Sequence, residues 1–158
     1  MLNILSDFLV RRPEGYYCQY GDFYIDAMLP VPVDVVSHGH GDHARPGHGI
    51  IYCTAVTGAI MHYRYAQQPL LSYRKIDFKS SFHIGQVELT FIPAGHILGS
   101  AQILMEYKGV RYLYTGDYKL QEDETYEPIE IVQADVLITE CTFADPDVIH
   151  PDPIAEIK

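Results

Sequence analysis

The segment HGHGDH at residues 38–43 constrains the fold of this chain more than any other part of its sequence. It follows directly on residues 31–37, a run rich in β-branched side chains that predicts a buried strand. Because a strand end is rigid and glycine lets the backbone turn sharply, the side chains of this segment can converge on one point. Imidazole and carboxylate groups bind zinc and related divalent metals, and this many of them suit two adjacent ions. The ligand-type side chains are His38, His40, Asp42 and His43.

Two later segments place the same kinds of ligand after strands. His96 follows an apolar strand that we expect to end at Pro93, and Asp117 follows the predicted strand at residues 110–115. A single buried histidine or aspartate is usually a hydrogen-bonded core residue. The order of these segments, at successive strand ends after residues 38–43, favours a role for both side chains as metal ligands.

The rest of the chain predicts many short strands and little helix. Period-two or β-branched patterns indicate strands, and the spacing of apolar residues at 55–67, before Pro69, indicates a helix. We expect strands at 22–27, 31–37, 50–54 and 134–139. We also expect hairpins at 81–93 and at 101–115, the second turning around Lys108 and Gly109.

The last residues, 153–158, have the pattern of a helix start, with Asp152 as a candidate N-cap. A helix of about one turn is not stable alone. We therefore expect residues 1–158 to be the N-terminal part of a longer protein, and a frayed natural terminus is the alternative.

Composition limits the classes of function. The chain has 21 acidic and 11 basic side chains and a formal net charge of −10, which argues against a nucleic-acid surface built from this chain alone. It does not argue against a nucleic acid held by metal ions or by protein outside these residues. The three cysteines form no C-x-x-C pair, which favours a reduced, cytoplasmic protein. The longest uncharged runs contain proline, glycine and histidine, so we expect no membrane span.

These motifs resemble the metallo-β-lactamase superfamily and, within it, the β-CASP branch of nucleases. The resemblance is carried by the segments SHGHGDHARPGHG, AGHILGSAQ, YTGDY and ITECTF, and it is strongest to the bacterial ligase-associated DNA exonucleases, also described as mRNA 3′-end processing factor-like proteins. It implies an α+β fold, the N-terminal half of an αββα sandwich with mostly antiparallel or mixed sheets and few helices. It also implies a nucleic-acid substrate, and a DNA ligase or a helicase as partner.

The resemblance further implies a centre of two zinc ions, with manganese as the alternative metal. It assigns His38, His40 and His96 to the first ion, Asp42 and His43 to the second, and Asp117 to a bridging position. Asp42, Asp117 and Glu140 are the residues that it assigns to catalysis, and Glu140 would support a proton-donating histidine much later in the chain.

The same resemblance implies parts that 158 residues cannot contain. These are a β-CASP insertion after Glu140 and a second hydrolase half, which carries the proton donor and the last ligand of the second zinc. We therefore expect residues 1–158 to be one metallo-β-lactamase-like portion whose second metal site is incomplete. We also expect an exposed apolar face, where the missing half would dock, to favour self-association.

Three further side chains are candidate substrate contacts. Arg45 and His48 come just after the ligand segment and are close enough in sequence to reach a phosphate, and the alternative for Arg45 is an ion pair with a surface acid. Ser100 lies in a turn after His96, where packing is the alternative to substrate binding.

The sequence thus predicts a metal-dependent phosphodiester hydrolase of the exonuclease type, which processes DNA or RNA and is inactive or weakly active as this chain alone. Two alternatives stay open at this stage. One is a thioester or small-ester hydrolase on the same scaffold, and the other is an inactive metal-binding fragment.

Overall fold

The computed structural model describes residues 3–67, 72–121, 123–142, 144 and 147. In these ranges the chain forms eleven strands and one helix. In chain order they are β1 (Leu9–Arg12), β2 (Gly15–Cys18), β3 (Phe23–Ile25), β4 (Val33–Val35), β5 (Ile50–Cys53), α1 (Ala55–Arg64), β6 (Ser72–Lys75), β7 (Ser81–Ile84), β8 (Val87–Pro93), β9 (Ala101–Tyr107), β10 (Val110–Tyr114) and β11 (Val136–Ile138).

The strands form two mixed sheets. The first has the order β1-β2-β3-β4-β5-β6, in which the first three strands pair antiparallel and the last four pair parallel. The second has the order β11-β10-β9-β8-β7, antiparallel except for the parallel pair β10 and β11. This architecture confirms the predicted fold class, mostly mixed or antiparallel sheet with little helix.

The core lies between the two sheets. Ile25 and Val35 of the first sheet pack in one cluster with Leu89, Met105 and Tyr112 of the second. The ring of Phe8, which precedes β1, stacks on Tyr112 with their centroids 3.8 Å apart and closes one end of this cluster. Burial of so many apolar side chains is the main favourable term that holds the sheets face to face.

The helix α1 covers the outer face of the first sheet. Because side chains alternate along a strand, Tyr52 of β5 packs into the core between the sheets, while Ile51 and Cys53 face outward and pack with Met61 of α1. Thr54 caps the helix, since its hydroxyl accepts a hydrogen bond from the backbone N–H of Thr57. The predicted helix at 55–67 is confirmed, although it ends at Arg64.

Most predicted strands are confirmed, with shorter bounds. The hairpin of β9 and β10 turns at Lys108 and Gly109, which both have positive φ (50° and 78°), the backbone of a type I′ turn. The strands β1, β2 and β6 were not predicted, because their few residues show no clear alternation of apolar and polar side chains. The helix start predicted at 153–158 lies outside the described residues.

Two observations concern the surface. Leu120, Ile131 and Leu137 are more than half exposed, and self-association through an apolar face stays a prediction. The helix found in the described ranges is too short to cross a lipid bilayer.

The core cluster predicts that two aromatic substitutions differ widely in their effect on the free energy of unfolding. Phe91→Ala removes a fully buried ring and leaves a cavity, and we expect it to lower the free energy of unfolding of the intact protein by about 3–5 kcal/mol. Tyr63→Ala changes a side chain that is 88% exposed, and we expect a change within about 0.5 kcal/mol. Chemical denaturation of both variants measures the difference, and equal values would contradict the assigned core.

Candidate metal centre

The ends of three strands bring the predicted ligands to one edge of the sandwich. His38 and His40 follow β4, His96 follows β8, and Asp117 follows β10. One ligand atom from each of these four side chains lies within 4.8 Å of the others. The structure therefore joins residues that are far apart in sequence in a single group.

The three imidazole rings of this group point their nitrogens at a common region. His40 Nδ1 lies 3.0 Å from His38 Nε2 and 3.1 Å from His96 Nε2. The rings stand nearly perpendicular to one another, with interplanar angles of 80° to 88°. Asp117 completes the group, since its Oδ2 lies 3.7 Å from His38 Nε2 and 3.6 Å from His96 Nε2.

The protonation state of this group suits a divalent cation. Burial lowers the pKa of His38 to about 3, with the neighbouring positive charge of His43 as a further cause, so this ring is neutral near pH 7. Burial also lowers the pKa of His96. Neutral imidazoles beside a carboxylate form a donor set that zinc and related metals accept. The residues present therefore fit a bound divalent metal.

Asp117 also faces a second pair of predicted ligands. Its Oδ1 lies 3.4 Å from His43 Nε2, while its Oδ2 faces the three-histidine group. Asp42 Oδ2 lies 3.8 Å from the same His43 nitrogen, and the Asp42 side chain is 74% exposed. The carboxylate of Asp117 thus stands between two clusters of donor atoms.

Asp26 is a residue of the site that the sequence analysis missed. It is buried at the end of β3 in a left-handed conformation with φ of 46°, which aspartate tolerates better than most residues. Its Oδ1 accepts a hydrogen bond from the backbone N–H of Ser37, and its Oδ2 accepts from the hydroxyls of Ser37 and Tyr114. The signal in the sequence was a lone carboxylate at the end of a predicted strand, and it pointed to no partner.

The carboxylate of Asp26 orients His43. Asp26 Oδ2 lies 2.9 Å from His43 Nδ1, which leaves His43 Nε2 facing Asp117. Burial opposes protonation of His43, but the hydrogen bond and the charge of Asp26, together with the charges of Asp117 and Asp42, raise its pKa to about 9. This environment favours positive charge at His43 Nε2. A hydrogen bond to the second ring nitrogen is the usual way in which proteins orient a metal-binding histidine.

Hydrogen bonds also hold the loop that carries His96. Ser100 is buried, and its hydroxyl accepts from the backbone N–H groups of His96 and Ile97. The hydroxyl of Thr54, at the start of α1, donates to the carbonyl of Gly99 at 2.7 Å. Gly99 has φ of 80°, and a Cβ there would come within 2.6 Å of Val56. Ser100 therefore braces the loop through hydrogen bonds, and its contact with a substrate stays a prediction.

The other two candidate substrate contacts differ. Arg45 is half-buried and donates from Nε to the carbonyl of Asp42, and among the described residues it forms no ion pair with a surface acid. The side chain of His48 is fully buried, where Nδ1 accepts from the backbone N–H of Val31 and Nε2 lies 3.4 Å from Asp34 Oδ2. Since it has no exposed surface, His48 cannot contact a substrate in this structure, and that interpretation is corrected to a structural one.

Glu140 follows β11, which pairs parallel with β10, so it leaves the sheet at the same edge as Asp117. Its Oε2 accepts from the backbone N–H of Thr142 at 3.0 Å. Partial burial opposes its ionisation, but the contacts with Thr142 prevail and lower the pKa of the carboxyl group. Glu140 is therefore an ionised side chain near this edge, and its assignment to catalysis stays a prediction.

Comparison with known proteins gives the family. Residues 26–157 match the family model described as "Beta-lactamase superfamily domain". The chain is 36% identical over 156 residues to a "Probable DNA ligase" of Opitutus terrae, an alignment that covers 94% of this chain and 14% of that protein.

Two further relatives have names of ribonucleases. The chain is 32% identical over 154 residues to "Endoribonuclease YSH1" of Mycosarcoma maydis, with 75% of this chain and 17% of that protein covered. It is 33% identical over 169 residues to "RNase J-like protein" of Methanocaldococcus jannaschii, with 94% of this chain and 39% of that protein covered. The chain thus spans less than half the length of each of these relatives.

The hydrogen bonds of Asp26 predict its effect on metal binding. Asp26→Asn replaces one acceptor oxygen with an NH₂ group, which donates and cannot accept from His43 or Tyr114, so we expect the affinity of the intact protein for zinc to fall about 10–100-fold. Asp22→Asn is the matched control, since Asp22 also has positive φ (55°) but lies on the surface and bonds to Tyr17. Competition with a chromogenic chelator measures both affinities, and a zinc affinity unchanged by Asp26→Asn would show that Asp26 does not orient a ligand.

Proposed function

The chain belongs to the metallo-β-lactamase superfamily, and we propose that it forms the metal-binding part of a phosphodiester hydrolase that acts on DNA or RNA. The observation that carries this proposal is the group of His38, His40, His96 and Asp117, whose ligand atoms lie within 4.8 Å of one another. The names of the relatives, two of them ribonucleases, support a nucleic acid as the substrate. Because the chain covers only part of those relatives, the activity is proposed for a protein of their length.

The proposed centre has two divalent cations. His38, His40 and His96 would hold the first, Asp42 and His43 would hold the second, and Asp117 would bridge them. The position of Asp117, with Oδ2 near His96 and Oδ1 near His43, supports this division. Imidazole-rich ligation favours zinc, and manganese is the alternative. Bound cations of this kind stabilise charge on phosphate oxygens and lower the pKa of a coordinated water.

The chain's own residues would prepare this chemistry. Asp26 holds His43 in one orientation, and Ser100 holds the loop of His96, so neither imidazole has to reorganise when substrate binds. Arg45 stands next to Asp42 with its guanidinium not paired to a carboxylate in the described part of the chain, and we propose that it contacts a substrate phosphate. Local positive charge of this kind allows a phosphate to bind at the centre although the whole chain has a net charge of −10.

The finer assignments are also proposals. We propose a β-CASP nuclease in which Glu140 supports the proton donor, with the remaining centre supplied by residues outside this chain. A DNA ligase as a functional partner is supported by the name of the Opitutus terrae relative, and a helicase rests only on the resemblance of the motifs. A cytoplasmic location, with roles in DNA repair or RNA processing, stays a prediction.

A nuclease assay on the intact protein tests this function. We expect end-labelled DNA or RNA oligonucleotides to be shortened in the presence of zinc or manganese and not in the presence of a chelator. His96→Ala removes a proposed ligand, and we expect it to lower the rate of cleavage by more than about 100-fold. Substitution of a residue that only hydrogen-bonds to a metal ligand already lowers metal affinity or activity about 10–100-fold. His83→Ala is the control, since His83 lies exposed on β7, away from the centre.

Two results would contradict the proposal. One is equal activity of the His96→Ala and His83→Ala variants. The other is turnover of a lactoyl thioester without cleavage of any oligonucleotide, which would favour the thioester hydrolase. Comparison of DNA with RNA, and of 5′-labelled with 3′-labelled ends, decides the substrate and the polarity in the same experiment.

A further inference from the structure

A cavity of about 180 Å³ lies beside the candidate metal centre. Asp42 and His43 form part of its wall, so the cavity adjoins the centre on the side of the second cluster of donor atoms. Its remaining wall comes mainly from the β1–β2 hairpin and the ends of β3 and β10. These parts contribute Arg11, Tyr16, Ile25, Met28 and Tyr114.

Contacts among the wall residues hold the cavity in shape. The rings of Tyr16 and Tyr114 meet edge to face, with centroids 6.1 Å apart at 62°. The hydroxyl of Tyr114 donates to Asp26, which fixes this ring relative to His43. The backbone N–H of Met28 donates to the carbonyl of Glu14 at 2.7 Å and ties the end of β3 to the turn of the hairpin. The hydrogen bond between Tyr114 and Asp26 therefore serves both the cavity and the centre.

The size and the lining of the cavity suit one planar ring. An apolar protein cavity of ~150 Å³ takes up a benzene molecule, and this one is slightly larger. Tyr16, Tyr114 and Met28 present aromatic and thioether surfaces, which favour contact with a π-system. Every nucleobase has such a face, and stacking on aromatic side chains is a common way to bind one without reading its identity.

Arg11 is the cation of this cavity. It is exposed on β1, and within the described part of the chain no hydrogen bond, ion pair or ring contact engages its guanidinium. Its neighbour Arg12 differs, because side chains alternate along a strand. The Arg12 guanidinium lies 3.6 Å over the ring of Tyr17 and donates to the hydroxyl of Tyr24. Arg11 is thus free to bind an anion, whereas the Arg12 guanidinium is already engaged by Tyr17 and Tyr24.

We propose that this cavity is a nucleotide subsite, in which the base of one substrate nucleotide stacks against the aromatic wall formed by Tyr16 and Tyr114, and Arg11 binds a phosphate next to it. The proposal rests on the function proposed above and deepens it, because the subsite would place a nucleotide unit of the DNA or RNA chain against Asp42 and His43. A guanidinium suits this role, since its planar fork binds two phosphate oxygens at once.

Binding of small probes to the intact protein tests the phosphate contact separately from catalysis. Isothermal titration with adenosine 5′-monophosphate gives the affinity of a whole nucleotide, and ribose 5-phosphate lacks the base. We expect Arg11→Gln to weaken binding of both probes by about tenfold or more, the loss typical of a hydrogen-bonded ion pair, and the matched variant Arg12→Gln to change either by less than about twofold. Equal effects of the two substitutions would overturn the role of Arg11.

A second pair of variants tests the base. We expect the nucleotide to bind at least about fivefold more tightly than ribose 5-phosphate, since stacking of one base contributes that much or more. Met28→Ala should weaken binding of the nucleotide severalfold and leave ribose 5-phosphate unchanged. Leu29→Ala is the control, because Leu29 is exposed to a similar extent, 49% against 45%, and does not line the cavity. Equal affinities of the two probes for the unaltered protein, or no binding of the nucleotide, would overturn the subsite.

These outcomes separate the subsite from the proposed function. If the protein cleaves oligonucleotides but Arg11→Gln and Arg12→Gln change the probe affinities equally, the proposed function is supported and the subsite is contradicted. If the protein binds the nucleotide through Arg11 but cleaves no oligonucleotide, the subsite is supported and the proposed function is contradicted.

Discussion

The structure depends on holding the Nε2 atoms of His38 and His96 at 3.0 and 3.1 Å from His40 Nδ1, at the junction of two sheets. Such crowding of polar atoms is unfavourable unless the surrounding loops are rigid and a cation or protons occupy the space between them. Two backbone hydrogen bonds supply that rigidity, the first between the two sheets and the second within one of them. Ala101 N–H donates to the carbonyl of Ser37 at 2.8 Å, and Lys119 N–H donates to that of Ala94. The loops after β4, β8 and β10 are therefore joined to one another close to the ligands that they carry.

The buried carboxylate of Asp26 connects this junction to the rest of the molecule. A carboxylate buried inside a protein needs donors that replace water, and Ser37, Tyr114 and His43 provide them from three parts of the chain. The same side chain orients His43 and fixes Tyr114, which is also a wall of the cavity beside the centre. Metal ligands, cavity and core packing are thus parts of one hydrogen-bonded arrangement, and a change at Asp26 reaches all of them.

The sequence predicted the parts of the fold and of the site whose signal is local. Residues 38–43 carry their ligands within one short segment, and the turn at Lys108 and Gly109 has its own backbone preference, so both were recognised without knowledge of the fold. Asp26 could not be assigned, because its role depends on His43 and Tyr114, which reach it only when the sheets pack. His48 was misinterpreted for the same reason. It is close to the ligands in sequence, but the chain turns it into the interior beside Asp34.

The position of bound metal in crystals of the intact protein tests the central claim most directly. Anomalous diffraction at the zinc edge locates each ion without reference to activity. The account predicts one ion about 2.0–2.1 Å from nitrogens of His38, His40 and His96, and a second beside Asp42 and His43, with Asp117 oxygens between them. Metal bound elsewhere on the chain, or no metal peak at these side chains in zinc-soaked crystals, would contradict it.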